Sequence, residues 1–107
     1  MLLRVESPIL MSAHKLQLIL TEPAKQDFRD ILSFTLQTWG EGQFDEYRRK
    51  LDGALHTIAE NPDIGHKRHG MLVYQAGRHR IFYREQGTSI YIFRILHERM
   101  DAGRHLD

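Results

Sequence analysis

Residues 71–97 read MLVYQAGRHRIFYREQGTSIYIFRILH. Over this stretch apolar residues alternate singly or run together, and many are β-branched or aromatic, which is the pattern of strands and not of helices. Gly77 separates MLVYQA from RHRIFYR, and Glu85-Gln86-Gly87-Thr88 reads as a hairpin turn before SIYIFRILH. Three consecutive antiparallel strands, a meander, are therefore expected. The last of them delivers a charged cluster, RILHERMD (residues 94–101), to its carboxyl end.

Upstream, the period is different. Residues 16–20, LQLIL, alternate as a first strand, and Thr21-Glu22-Pro23 follows, with proline suited to a first helical turn because its missing N–H has no partner there. Ala24, Phe28, Ile31, Leu32, Thr35, Leu36 and Trp39 then recur at three- and four-residue steps, predicting an amphipathic helix over residues 23–39 that stops at Gly40. After the break Gly40-Glu41-Gly42, a second stripe of Phe44, Tyr47, Leu51, Ala54, Leu55 and Ile58 predicts a helix over residues 44–60, stopped by Asn61-Pro62. So short a connection implies an antiparallel helical hairpin. Phe28, Leu32, Leu51, Leu55 and Ile58 are expected to pack on the sheet, Trp39 to anchor the core, and Gly53 to mark close approach of the two helices. The order is β-α-α-β-β-β with a short polar tail: an α+β fold in which the hairpin covers one face of an antiparallel sheet.

A chain of 107 residues, 41% hydrophobic and 27% charged, suits one domain with its own core. With no cysteine, disulfides and thiolate metal sites are excluded, and a reducing cytoplasm is the expected setting. The first ten residues, MLLRVESPIL, do not make a secretory signal, and no stretch approaches the roughly 20 apolar residues of a membrane span. Residues 1–11 are expected to be an N-terminal extension, and residues 12–107 the domain. Charge is polarised: residues 1–66 hold seven Lys and Arg against ten Asp and Glu, net −3, whereas residues 67–107 hold eight against four, net +4. Such a basic half can meet nucleic acid, an acidic peptide or an acidic protein surface, and charge alone does not choose.

Several residues bear chemistry. HKRHG (residues 66–70) reads as a solvated basic loop placed for partner contact; His66 and His69 lack the neighbouring Cys or carboxylate that would complete a metal site, and none is expected. Arg78, Arg80 and Arg84 alternate along one strand and so project from one face at roughly 7 Å intervals, a row suited to phosphates or carboxylates, with Arg94 joining from the next strand if register permits. Tyr83 and Tyr91 are expected to pack or hydrogen-bond at the rim. His97 ends an apolar strand, either capping the sheet or serving proton transfer or partner contact.

Together these residues resemble the ParE branch of the RelE/ParE superfamily, the toxins of bacterial type II toxin-antitoxin pairs. The resemblance spans residues 16–106. It rests on the Pro-Ala helix start with Asp27 and Phe28, Trp39-Gly40, Asn61-Pro62 with Gly65, HRIFYR, and above all RILHERMD followed by His105-Leu106. It implies cytoplasmic action, neutralisation by a ParD-like antitoxin whose C-terminal segment wraps the toxin, and DNA gyrase as the target. For the RelE branch it would imply mRNA cleavage on the ribosome.

The residues weigh these branches. RNA cleavage through the 2′-hydroxyl needs a base, a cation for the charged phosphate and an acid for the leaving oxygen. Arg80 is similar to a phosphate-binding Arg of some nuclease members and His97 to a terminal catalytic His, and Lys67 and Tyr83 match a second nuclease type. Yet there is no carboxylate between Ile64 and Arg84, where such relatives place a base, and the ending RMD departs from theirs. The expectation is a growth-inhibiting gyrase poison with no catalytic residues and no cofactor. Its target would be contacted by Arg94, His97, Arg99, Met100 and Arg104, and its antitoxin by Arg78, Arg80, Arg84 and Arg94, without membrane association and without sequence-specific nucleic-acid binding by the toxin alone. The alternatives are a RelE-like ribosome-dependent mRNA endoribonuclease and an inactive antitoxin-binding module.

Overall fold

The structure, a computed structural model, describes residues 16–106; the expected extension over residues 1–11 lies outside the described residues. The chain runs β1 (Gln17–Leu20), α1 (Glu22–Trp39), α2 (Glu41–Glu60), a 3₁₀ turn at Pro62–Ile64, β2 (His66–Arg68), β3 (Met71–Ala76), β4 (His79–Gln86), β5 (Ser89–His97) and α3 (Ala102–His105). The five strands form one sheet in the order β1-β5-β4-β3-β2. From β2 to β5 all pairings are antiparallel, as the meander required, but β1 adds to β5 in parallel. The parallel edge follows from the connection: the helical hairpin crosses over between β1 and the meander, and such a crossover can return the chain in the same direction.

Thr21 makes the junction between sheet and helix. Its hydroxyl accepts from the Ala24 N–H at 3.2 Å, capping α1, and donates to the Phe93 carbonyl at 3.0 Å. The two helices are separated by Gly40 alone, with φ 90° and ψ −179°, a conformation that side chains other than glycine rarely adopt, so α2 begins three residues before the predicted start.

The hairpin covers the inner sheet face. Leu32, Leu51, Leu55 and Ile58 are buried there against Ile81, Tyr83, Ile90, Ile92 and Ile95, with Phe28 packed at the margin. Burying each large aliphatic side chain contributes about 1.5–3 kcal/mol. On the outer face a smaller cluster of Val73, Phe82 and Leu96 is covered by Met71, Ala102 and Leu106. The predicted polar tail therefore folds back as α3, with Asp101 capping it through the Gly103 N–H at 3.1 Å. HKR of the predicted loop is instead a short edge strand, β2.

Three packing expectations are overturned. Trp39 is 67% exposed, not a core anchor, because the core cluster draws on α1 through Ala24 and Leu32, with Phe28 and Ile31 packed beside them, and the last turn of the stripe runs past it. Gly53 is not a close-approach site, since a Cβ built there would meet nothing within 4 Å. Tyr83 is fully buried and not at the rim: alternation along β4 turns it inward with Ile81. No helix among the described residues is long and apolar enough to cross a membrane.

Candidate functional site: the end of the sheet where β5 meets the tail

At the carboxyl end of β5 the ladder is irregular. Phe82 pairs with Arg94 but Tyr83 pairs with Ile92, so Phe93 is an extra residue, a bulge that puts Phe93 and Arg94 side by side on the outer face. Beyond Leu20 no strand among the described residues covers this part of β5, and α1 supplies the partner instead. The Asp27 carboxylate accepts from Arg94 Nε at 2.7 Å, from the second Arg94 guanidinium nitrogen at 2.9 Å and from the Ile95 N–H at 2.9 Å. Arg94 also donates to the His105 carbonyl at 3.3 Å, tying down the tail. This hydrogen-bonded, partly buried pairing raises the guanidinium pKa above its ordinary value. Arg94, expected to contact target and antitoxin, is engaged in these bonds within the chain.

His97 lies on the inner side, register-paired with His79, and the two rings meet edge to face at 5.3 Å between centroids. Tyr47 reaches across from α2. Its hydroxyl accepts from the Arg78 N–H at 3.0 Å, faces the Ala76 carbonyl, an acceptor, at 3.3 Å and is hydrogen-bonded to His79 Nδ1 at 2.5 Å. Burial pushes the Tyr47 hydroxyl pKa up. Burial, reinforced by the electrostatic influence of His97, lowers His79 from 6.5 to about 4, so His79 is neutral at physiological pH. His97 Nδ1 in turn accepts from the Arg99 N–H at 3.1 Å, in the turn that presents exposed Arg99 and Met100. Arg104, on α3, is exposed and paired loosely with Asp101 at 3.6 Å, a contact of little energetic weight.

The expected arginine row is divided. Arg80 and Arg84 point outward from β4, Arg80 Nε donating to Gln75 at 3.4 Å and Arg84 lying 5.6 Å over the Phe93 ring while donating to the Gly70 carbonyl at 3.2 Å. Arg78 is in the preceding turn and lines a cleft on the helical side. By register His66 and Arg68 of β2 share the outer face with Val73 and Met71, so that face is basic around its apolar centre.

The residues that a nuclease would use do not converge. Arg80 is outward and His97 inward, on opposite faces of adjacent strands. Tyr83 is sealed inside, its hydroxyl donating to the Pro62 carbonyl at 2.7 Å and accepting from the Gly65 N–H at 3.0 Å. Lys67 is exposed on β2, three strands from β5 in the sheet order. These four residues therefore do not surround one phosphate position as cation, base and acid.

Asp27, Tyr47 and His79 organise this region, yet no role was predicted for them from the sequence. Asp27 and Arg94 are 67 residues apart, and nothing in either local pattern announces their pairing.

Residues 18–102 match the family model described as the ParE toxin of type II toxin-antitoxin system, parDE. The chain is 37% identical over 91 residues to Toxin ParE1 of Caulobacter vibrioides, covering 81% of this chain and 94% of that one. It is 37% identical over 93 residues to Toxin ParE1 of Mycobacterium tuberculosis, covering 82% and 95%. Among solved structures, the chromosomal ParDE toxin-antitoxin system from P. aeruginosa aligns with a TM-score of 0.68 at 17% identity, covering 78% of this chain and 97% of that one. The toxin-antitoxin complex RelBE2 from Mycobacterium tuberculosis aligns at 0.56 and 19%, covering 78% and 98%, which shows that the fold is shared across both branches. The chain belongs to the ParE toxin family of type II toxin-antitoxin systems.

Proposed function

We propose that this toxin acts by binding DNA gyrase and blocking replication, and that a ParD-like antitoxin neutralises it. The observation that supports this reading is the dispersal of Arg80, His97, Lys67 and Tyr83 over two faces and the interior of the sheet, where they do not gather around one phosphate. A binding toxin needs only a presented surface. His97, Arg99 and Met100 at the end of β5 and Arg104 on α3 form the target-facing surface in this proposal. The antitoxin's C-terminal segment lies across the outer face, its carboxylates meeting Arg80 and Arg84, and covers the tail.

The charge distribution supports such a partner, because residues 67–107 carry net +4 and the outer face displays the cations. The test sets purified toxin in a gyrase supercoiling and cleavage assay beside a ribosome-dependent mRNA cleavage assay. Inhibited supercoiling with intact mRNA is the expected result. Ribosome-dependent mRNA cleavage, lost in Arg80→Ala with gyrase untouched, would place the chain with the RelE-like endoribonucleases. Inactivity in both, with tight antitoxin binding, would make it a binding module.

A further inference from the structure

The last turn of α1, the first half of α2 and the β3–β4 turn enclose a cleft of about 810 Å³. Its walls carry Phe34, Trp39, Gln43, Tyr47, Lys50 and Arg78. Phe34 is 64% and Trp39 67% exposed, a large unpartnered aromatic area for so small a protein. Exposed aromatic groups beside a concave, pre-formed pocket mark protein docking sites, where tryptophan is the side chain most often found to dominate binding. The floor is rigid. Tyr47 is fixed through its hydroxyl to Arg78 and His79, and a Cβ on Gly77 would lie 2.8 Å from the Tyr47 ring, so the β3–β4 turn is clamped onto α2.

The charge of the cleft selects its occupant. Its lining pairs the exposed aromatic rings with the cations Lys50 and Arg78 and includes no carboxylate, which favours an anionic group on the ligand. A protein segment with an apolar side chain next to a carboxylate fits both features. The cleft also adjoins the target-facing surface: the Glu98 N–H, in the turn after β5, donates to the Arg78 carbonyl at 2.9 Å. It lies on the helical side of the sheet, away from the outer face assigned to the antitoxin.

We infer that this cleft docks an acidic, amphipathic segment of the toxin's protein target, with Phe34 and Trp39 gripping its apolar anchor and Lys50 its carboxylate; the inference rests on the gyrase reading above. The test compares wild type with Phe34→Ala, Trp39→Ala, Trp39→Phe and Lys50→Glu in gyrase supercoiling inhibition and in affinity for purified antitoxin, with Leu36→Ala, an exposed apolar position outside the cleft, as control. The expected result is a loss of inhibitory potency of about tenfold or more for Phe34→Ala, Trp39→Ala and Lys50→Glu. Trp39→Phe should retain part of the activity, Leu36→Ala should match wild type, and antitoxin affinity should be unchanged throughout. Undiminished inhibition by Trp39→Ala overturns the docking site while leaving the gyrase reading in place. A parallel loss of antitoxin affinity overturns it in favour of an antitoxin site. A wild type that leaves gyrase untouched overturns the gyrase reading and the assignment together.

Discussion

Asp27 and Arg94, 67 residues apart, form a two-pronged ion pair at 2.7 and 2.9 Å whose carboxylate also accepts the Ile95 N–H that no strand covers. The pair closes an open edge of the sheet, fastens α1 to β5 and, through His105, holds the tail. With side-chain exposures of 14% for Asp27 and 24% for Arg94 it is neither fully buried nor a loose surface contact. Asp27→Ala leaves both a guanidinium and a strand N–H without their acceptor, and should cost about 2–4 kcal/mol in chemical denaturation, short of the full penalty for breaking a wholly buried pair. A double-mutant cycle with Arg94→Ala should show coupling; strict additivity would mean that the pair carries no energy of its own.

Gly40 and Gly53, both in the helical hairpin, should respond in opposite directions. Gly40 has φ 90° and ψ −179°, so Gly40→Ala is expected to destabilise by about 1–3 kcal/mol. Gly53 is helical with open space around its missing side chain, so Gly53→Ala should stabilise by about 0.5–1 kcal/mol through a less disordered unfolded chain and better helix propensity. Thermal melts of both variants check the contrast, which a close helix-helix contact at Gly53 would reverse.

Tyr83 bridges the turn after α2 to the sheet. Tyr83→Phe keeps the ring but leaves the Gly65 N–H and Pro62 carbonyl without the hydroxyl, for a cost of about 1–3 kcal/mol. Because the hydroxyl is used inside the fold, residual toxicity at a temperature where the variant remains folded should equal wild type. A specific loss of activity in fully folded Tyr83→Phe would instead point to chemistry at this residue.

Acid should weaken the fold through His79. Its folded pKa of about 4 lies below the ordinary 6.5, so the unfolded chain takes up the proton first as pH falls. The stability associated with His79 is therefore complete above pH 6.5 and is lost on going down to about 4. His79→Gln, which can hydrogen-bond Tyr47 in either direction without titrating, should flatten the loss of stability across that window relative to wild type. Parallel profiles for the two proteins would show that His79 does not drive the acid response.

The elements were legible in the sequence because local periodicity sets them. The stripe through Phe28 and Leu32 and that through Leu51, Leu55 and Ile58 predicted the hairpin and its buried face, and the change of period after residue 70 predicted the meander. Each such pattern reflects neighbours within a few residues, which amphipathic burial constrains directly. What depended on distant pairing was not legible. Whether β1 joined β5 in parallel, whether Arg94 was free or held by Asp27, whether Trp39 lay over the core or beyond it, and on which face Arg80 and His97 would stand were decided by register, by one bulge at Phe93 and by how far α1 extends past the packed cluster. These are properties of contacts between segments tens of residues apart, and a shift of one residue in register exchanges the two faces of a strand without altering any local pattern.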